Sequence, residues 1–121
     1  MPIPAETPVK LVVQVRGRAE FYQSSRAGIY TLQSTDINGK EHWLAENGKR
    51  AIWYLAEGQS KSARWMIGQK RDLGKNVGGI ASDDDTATPS EAINWEYYSN
   101  DEWMKSDSKD LVIVTRFDGK N

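Results

Sequence analysis

Two Asn-Gly pairs, Asn38-Gly39 and Asn47-Gly48, punctuate the stretch NGKEHWLAENGKRAIWYLAE. Each is flanked by runs that contain aromatic residues. Asn and Gly both tolerate the positive φ that a two-residue type I′ turn requires, so Asn-Gly between such runs is the strongest short hairpin signal. The pairs, in TLQSTDINGKEHWL and HWLAENGKRAIWY, predict three consecutive meander strands. The competing reading is two short helices, 40–46 and 49–57. Leu, Ala, Glu, Lys and Arg favour helix, and Asn47-Gly48 and Gly58 could cap the two ends. Each helix would be too short to stand alone. The second would also leave Trp53 and Tyr54 off the stripe made by Ile52, Leu55 and Ala56. The hairpin reading is therefore preferred.

The rest of the chain has the same rhythm. Residues 9–16 (VKLVVQVR), 28–34 (GIYTLQS), 63–69 (ARWMIGQ), 94–100 (NWEYYSN) and 111–117 (LVIVTRF) read as strands, rich in β-branched and aromatic residues. In 94–100 the pleat puts Trp95 and Tyr97 on one face, and Glu96 and Tyr98 on the other. GQSKS, GKNVGG and SDDDTATPS between them are loop compositions. The expected fold class is all-β: an antiparallel, meander-rich sandwich or small barrel of about seven or eight strands, with little or no helix. The apolar first and last strands are expected to pair centrally or to close a barrel. The expected organisation is an extended tail at 1–8, one β domain at 9–118 and a short tail at 119–121. In size, strand rhythm and Trp/Tyr usage the chain resembles small ligand-binding barrels of the avidin and lipocalin type. That resemblance is one of architecture, and no site residue is carried over from it.

Composition narrows the chemistry. The chain has no Cys, which excludes disulfides and thiolate metal sites. Net charge is −1, so no global basic field points to nucleic acid. Residues 1–80 carry 12 basic and 7 acidic side chains and residues 81–121 carry 4 and 10, an asymmetry that two solvated faces explain. No apolar run approaches the roughly 20 residues of a membrane helix. MPIPAETP lacks the parts of a signal peptide, compatible with a cytoplasmic setting or with a module excised from a longer protein. His42 is the sole histidine. Its neighbour Glu41 would face the other way on a strand, so neither a catalytic His nor a His-based metal site is expected. The acidic loop with Asp83, Asp84, Asp85 and Glu91 lacks EF-hand spacing. GKNVGG lacks the spacing of a phosphate-cradling loop, although Lys61, Arg64, Lys70, Arg71 and Lys75 could form a local basic patch. No cofactor and no metal is expected.

The aromatic content points elsewhere. Five Trp and five Tyr stand against two Phe. Trp and Tyr bring polar groups that need partners, so this bias suits half-exposed binding surfaces. About three of the five Trp are expected in the core, with Trp65 the first choice and Trp103, in a polar setting, the best candidate for an exposed ring. The expected function is non-catalytic recognition of a carbohydrate or another small polar organic ligand. Trp103, Tyr98, Trp53 and Tyr54 would stack on it, and Asp101 and Asn100 would bind its hydroxyls. The alternative is a protein-interaction module using the same rings. A third class is a small barrel hydrolase or isomerase with a carboxylate acid or base.

Overall fold

The computed structural model describes residues 7–58, 63–99, 101–106 and 112–117. Nine antiparallel strands lie in one sheet: β1 (Lys10–Val15), β2 (Gly28–Ile37), β3 (Lys40–Ala45), β4 (Arg50–Leu55), β5 (Arg64–Gln69), β6 (Ile80–Ser82), β7 (Trp95–Ser99), β8 (Glu102–Lys105) and β9 (Val112–Phe117). Their order is β8-β7-β6-β5-β4-β3-β2-β1-β9. The first eight form an uninterrupted meander, and β9 is added beside β1. The sheet curls so that β9 comes near β7 and the 3-10 turn Pro89–Glu91. The result is an open half-barrel with edges at β8 and β9. The apolar β1 and β9 do pair, from Lys10↔Phe117 to Val15↔Val112, but at one margin of the sheet rather than at its centre.

The all-β class and the meander through 40–55 hold, and the helical alternative does not. The two Asn-Gly turns differ, however. At the first, Asn38 and Gly39 both take positive φ (56° and 89°) between Ile37 and Lys40, as a two-residue turn requires. The second connection spans the four residues 46–49. The Gly48 N–H donates to the Ala45 carbonyl at 2.8 Å, and Asn47 Oδ1 accepts from the Lys49 N–H at 2.8 Å. Only Gly48 of that pair is left-handed (φ 74°). Here Asn47 acts through its side chain, as an Asx turn.

Two strands and one helix were not anticipated. β6 has three residues, and β8 reads as polar turn sequence, so neither carries a periodic pattern. Helix α1 (Arg18–Gln23) runs on into a 3-10 turn, Ser24–Arg26. Ala19 of α1 joins the interior, and Gln23 Nε2 donates to the Tyr98 carbonyl on β7 at 2.7 Å. The helix leaves β1 and is tied to β7, so it crosses one mouth of the half-barrel.

Inside the barrel the pleat sorts residues as alternation dictates. Leu11, Val13, Tyr30, Trp43, Ile52, Tyr54, Trp65, Ile67, Ile80, Trp95, Tyr97 and Val114 form the interior. Trp65 packs edge-on against both Trp43 (5.7 Å) and Tyr54 (5.2 Å). A second cluster lies on the outer face: Ala51, Trp53, Leu55, Met66 and Ala81, joined by Ile37, Leu44 and Leu73. It is covered by the β5–β6 connection, residues 70–79, which folds back as a strap. This is why β4 is buried on both faces from Ala51 to Leu55.

The aromatic bias now has a structural reason. Four of the five Trp are buried, and each donates its indole N–H to a backbone carbonyl in a non-strand segment. Trp43 bonds Pro8 (2.8 Å), Trp53 bonds Lys75 (3.0 Å), Trp65 bonds Thr86 (3.0 Å) and Trp95 bonds Ala92 (3.1 Å). Tyr30 likewise donates to the Arg26 carbonyl at 2.6 Å. Each ring thus fills the core and pins one loop to the barrel, which Phe cannot do. Pro8, placed by sequence in the tail, is buried through the same device. Residues 1–6 and 119–121 of the expected tails lie outside the described residues.

Candidate functional site

The outer face of β5–β8 is only partly covered by the strap. Met66 pairs with Ala81, and Ala81 with Glu96, so the small Ala81 leaves a low floor between β5 and β7. Across it Arg64 reaches Glu96, with Nη1 to Oε1 at 3.6 Å and both side chains mostly shielded from solvent. Tyr98 and Trp103 are cross-strand partners on the same face. Their rings meet edge to face, with centroids 5.5 Å apart and planes at 71°. Tyr98 is 38% exposed and Trp103 37%. The Arg64 guanidinium carbon lies 5.8 Å from the Trp103 ring centroid, a cation–π contact. Where the strap ends, at Asn76, Val77 and Gly78, it forms the opposite wall of an open groove of about 330 Å³ lined also by Arg64, Tyr98 and Trp103. The groove offers two ring surfaces, one guanidinium and one carboxamide.

Of the residues expected at the site, the structure brings together Trp103 and Tyr98. Trp53 is fully buried and is not a stacking surface. The pleat does turn it outward, but the strap lies over it. Tyr54 faces the interior and is 9% exposed. Its hydroxyl donates to Asp85 Oδ1 at 3.0 Å, and burial followed by the Asp85 carboxylate pushes its phenol above the ordinary value. Asp101 is exposed at the tip of the β7–β8 hairpin with φ 67°, and it does not line the groove. Its side chain suits it to the turn rather than to a hydroxyl. Asn100 lies outside the described residues. Arg64 and the 76–78 wall are the groove residues that sequence reasoning left out of the site. Arg64 heads a strand, and its nearness to Trp103 depends on β6 intervening between β5 and β7.

A second concavity, about 390 Å³, opens at the other end of β4, lined by Tyr54, Glu57, Ala63, Asp83 and Asp85. Most of the acidic loop has local partners. Asp84 Oδ2 accepts from the Ile93 N–H (3.2 Å), Asp85 accepts from Tyr54, and Asp83 is 3.9 Å from Lys105 Nζ. Among the described residues no three His, Asp or Glu side chains converge to hold a metal ion. His42 is buried, and its Nδ1 is 3.0 Å from the Thr35 carbonyl, beside the register shift between Leu32 and Asp36. That placement is structural.

No protein-family model, curated protein or solved structure matches the chain. The groove is therefore read from its own chemistry.

Proposed function

We propose that the chain is a non-catalytic ligand-recognition module whose site is the Tyr98–Trp103 groove, with a carbohydrate or another small polar organic molecule as ligand. One observation carries this reading. The two most exposed rings of the described chain are cross-strand neighbours held edge to face beside a guanidinium. The other rings whose side chains are described are committed to the interior or to the contact with the strap. An exposed indole offers a flat apolar face at low entropic cost, and its preset tilt against Tyr98 needs no reordering on binding. Arg64 and Asn76 supply hydrogen-bond donors at the groove margin, where hydroxyls of a ring-stacked ligand would lie.

The test is glycan screening of the full chain, followed by calorimetric titration of each hit against Trp103→Ala and Trp103→Phe. The expected result is a loss of roughly tenfold or more in affinity for Trp103→Ala, as for a ring at the centre of a site, and a smaller loss for Trp103→Phe. Equal affinity in all three proteins, or no hit at all, defeats the proposal.

A protein partner is the second reading, favoured by the position of the rings on the hairpin that ends the sheet. Among the described strands β8 is outermost, and edge strands are sites of strand addition. A concentration-dependent increase in solution mass abolished by Trp103→Ala supports this reading over the first.

A further inference from the structure

The mouth of the half-barrel crossed by α1 holds two arginines that the groove does not use. Arg50 occupies the first inward position of β4, in register with Gln69 and on the same side as Ile52 and Tyr54. Arg26 ends the 3-10 turn after α1, and its carbonyl is anchored by the Tyr30 hydroxyl. Tyr30 itself lies level with Ala45 at that end of the interior. In each arginine Nη1 donates locally, Arg26 to Ser25 Oγ (2.9 Å) and Arg50 to the Lys49 carbonyl (3.2 Å). In each the Nε N–H is buried and has no protein acceptor. The three ion pairs among the described residues all involve other side chains.

This is a costly arrangement for a fold to keep. A guanidinium retains its charge at any ordinary pH, and a buried donor without an acceptor loses its hydration for nothing in return. The two charges also feel each other. Burial, then the Arg50 charge, pull Arg26 below the usual arginine value, and Tyr30 and then Asp72 offset part of this. Gly79 keeps the space beside Arg26 clear. A Cβ there would sit 3.0 Å from Arg26 Nε and collide with the Gln23 carboxamide. A paired carboxylate would have neutralised one arginine, yet among the described residues neither arginine forms an ion pair.

We propose that Arg26 and Arg50 jointly bind a phosphate-class oxyanion at the α1 end of the barrel. A dianion balances both charges, and its oxygens can accept from two Nε N–H groups that approach from different elements. Planar guanidinium forks suit that geometry better than lysines would. The site is separate from the Tyr98–Trp103 groove, so either can fail without the other.

Inorganic phosphate is the probe, titrated into the full chain against chloride at matched ionic strength, with the arginine Nε–H resonances followed by NMR and the melting temperature recorded. A methyl phosphate ester in a parallel arm separates a free ion from the terminal phosphate of a larger molecule. The expected result is a saturable rise in melting temperature with phosphate, with shifts at the Arg26 and Arg50 Nε–H signals. In Arg50→Gln the affinity falls roughly tenfold or more, the effect of losing a charge-assisted hydrogen bond. A response to the ester equal to that of free phosphate also supports the site and assigns it to a phosphate-bearing molecule. A chloride-like response, or unmoved Arg26 and Arg50 signals in the unmodified chain, overturns the proposal, whether or not the variant folds.

Discussion

The indole of Trp53 donates its N–H to the carbonyl of Lys75 at 3.0 Å. Through that bond the 70–79 strap is held on the outer face of β4 and β5, and the groove wall at Asn76–Gly78 is set in place. Trp53→Ala removes both the ring and the anchor and is expected to cost about 3–5 kcal/mol, as for a large buried aromatic. Trp53→Phe keeps most of the packing but leaves the Lys75 carbonyl without its donor, for about 1–3 kcal/mol. Urea unfolding measures both, and hydrogen exchange across 70–79 should quicken in each.

The same ring explains Gly68. A Cβ at this position would lie 2.9 Å from Trp53 Cη2 and 3.0 Å from Gly78 Cα. Gly68→Ala should destabilise by about 1–3 kcal/mol through overpacking. Phe lacks the outer indole ring, so Gly68→Ala in a Trp53→Phe background should cost clearly less. A double-mutant cycle by chemical denaturation reads the coupling, and strict additivity would mean that the Gly78 backbone, not Trp53, sets the limit.

Asn38 ties the first hairpin to the strap. Its Nδ2 donates to the Tyr54 carbonyl (2.7 Å) and the Gly74 carbonyl (3.1 Å), from a residue with φ 56°. Asn38→Gly keeps the backbone relaxed and loses the donor. Asn38→Ala loses the donor and adds left-handed strain of about 1–2 kcal/mol. Asn38→Asp keeps a tolerant backbone but aims a carboxylate at two carbonyls. The expected order of melting temperatures is wild type, Gly, Ala, Asp, from highest to lowest.

Alkaline pH should unfold this chain through its buried phenols. Burial raises Tyr30, and burial with the Asp85 hydrogen bond and charge raises Tyr54, both above the ordinary 10.0. Above that value the unfolded chain has lost these protons while the folded chain holds them. The unfolded state then binds fewer protons, and stability falls with rising pH. Below pH 10 this contribution is fully present. Urea midpoints measured from pH 9 to 12 should decline, and Asp85→Asn should make the decline shallower, because the Tyr54 phenol returns part of the way toward its ordinary value.

Parts of this design were legible in the linear sequence. Asn38-Gly39 gave a true two-residue turn because its requirement is local: two residues that accept positive φ. The strands with clean alternation were legible for the same reason, and so was the opposition of Trp95 and Tyr97 to Glu96 and Tyr98. β6 and β8 were not, since a three-residue strand and a polar edge strand have no periodic signature. α1 lay in RAEFYQ, whose helical run is too short to stand out.

The sequence by itself determined the meander and its pleat, because turn chemistry and period-two patterning act between neighbours. It also marked Trp103 as the ring least suited to a core. Only the tertiary structure decided which outward rings meet water. Trp53 and Tyr98 both point away from the interior, yet one is sealed under the strap and the other lines a groove. The difference lies in where a ten-residue connection comes to rest, 70–79 across β4 and β5 but not β7. That is a long-range packing choice, fixed by the Trp53–Lys75 and Asn38–Gly74 hydrogen bonds between segments far apart in the chain.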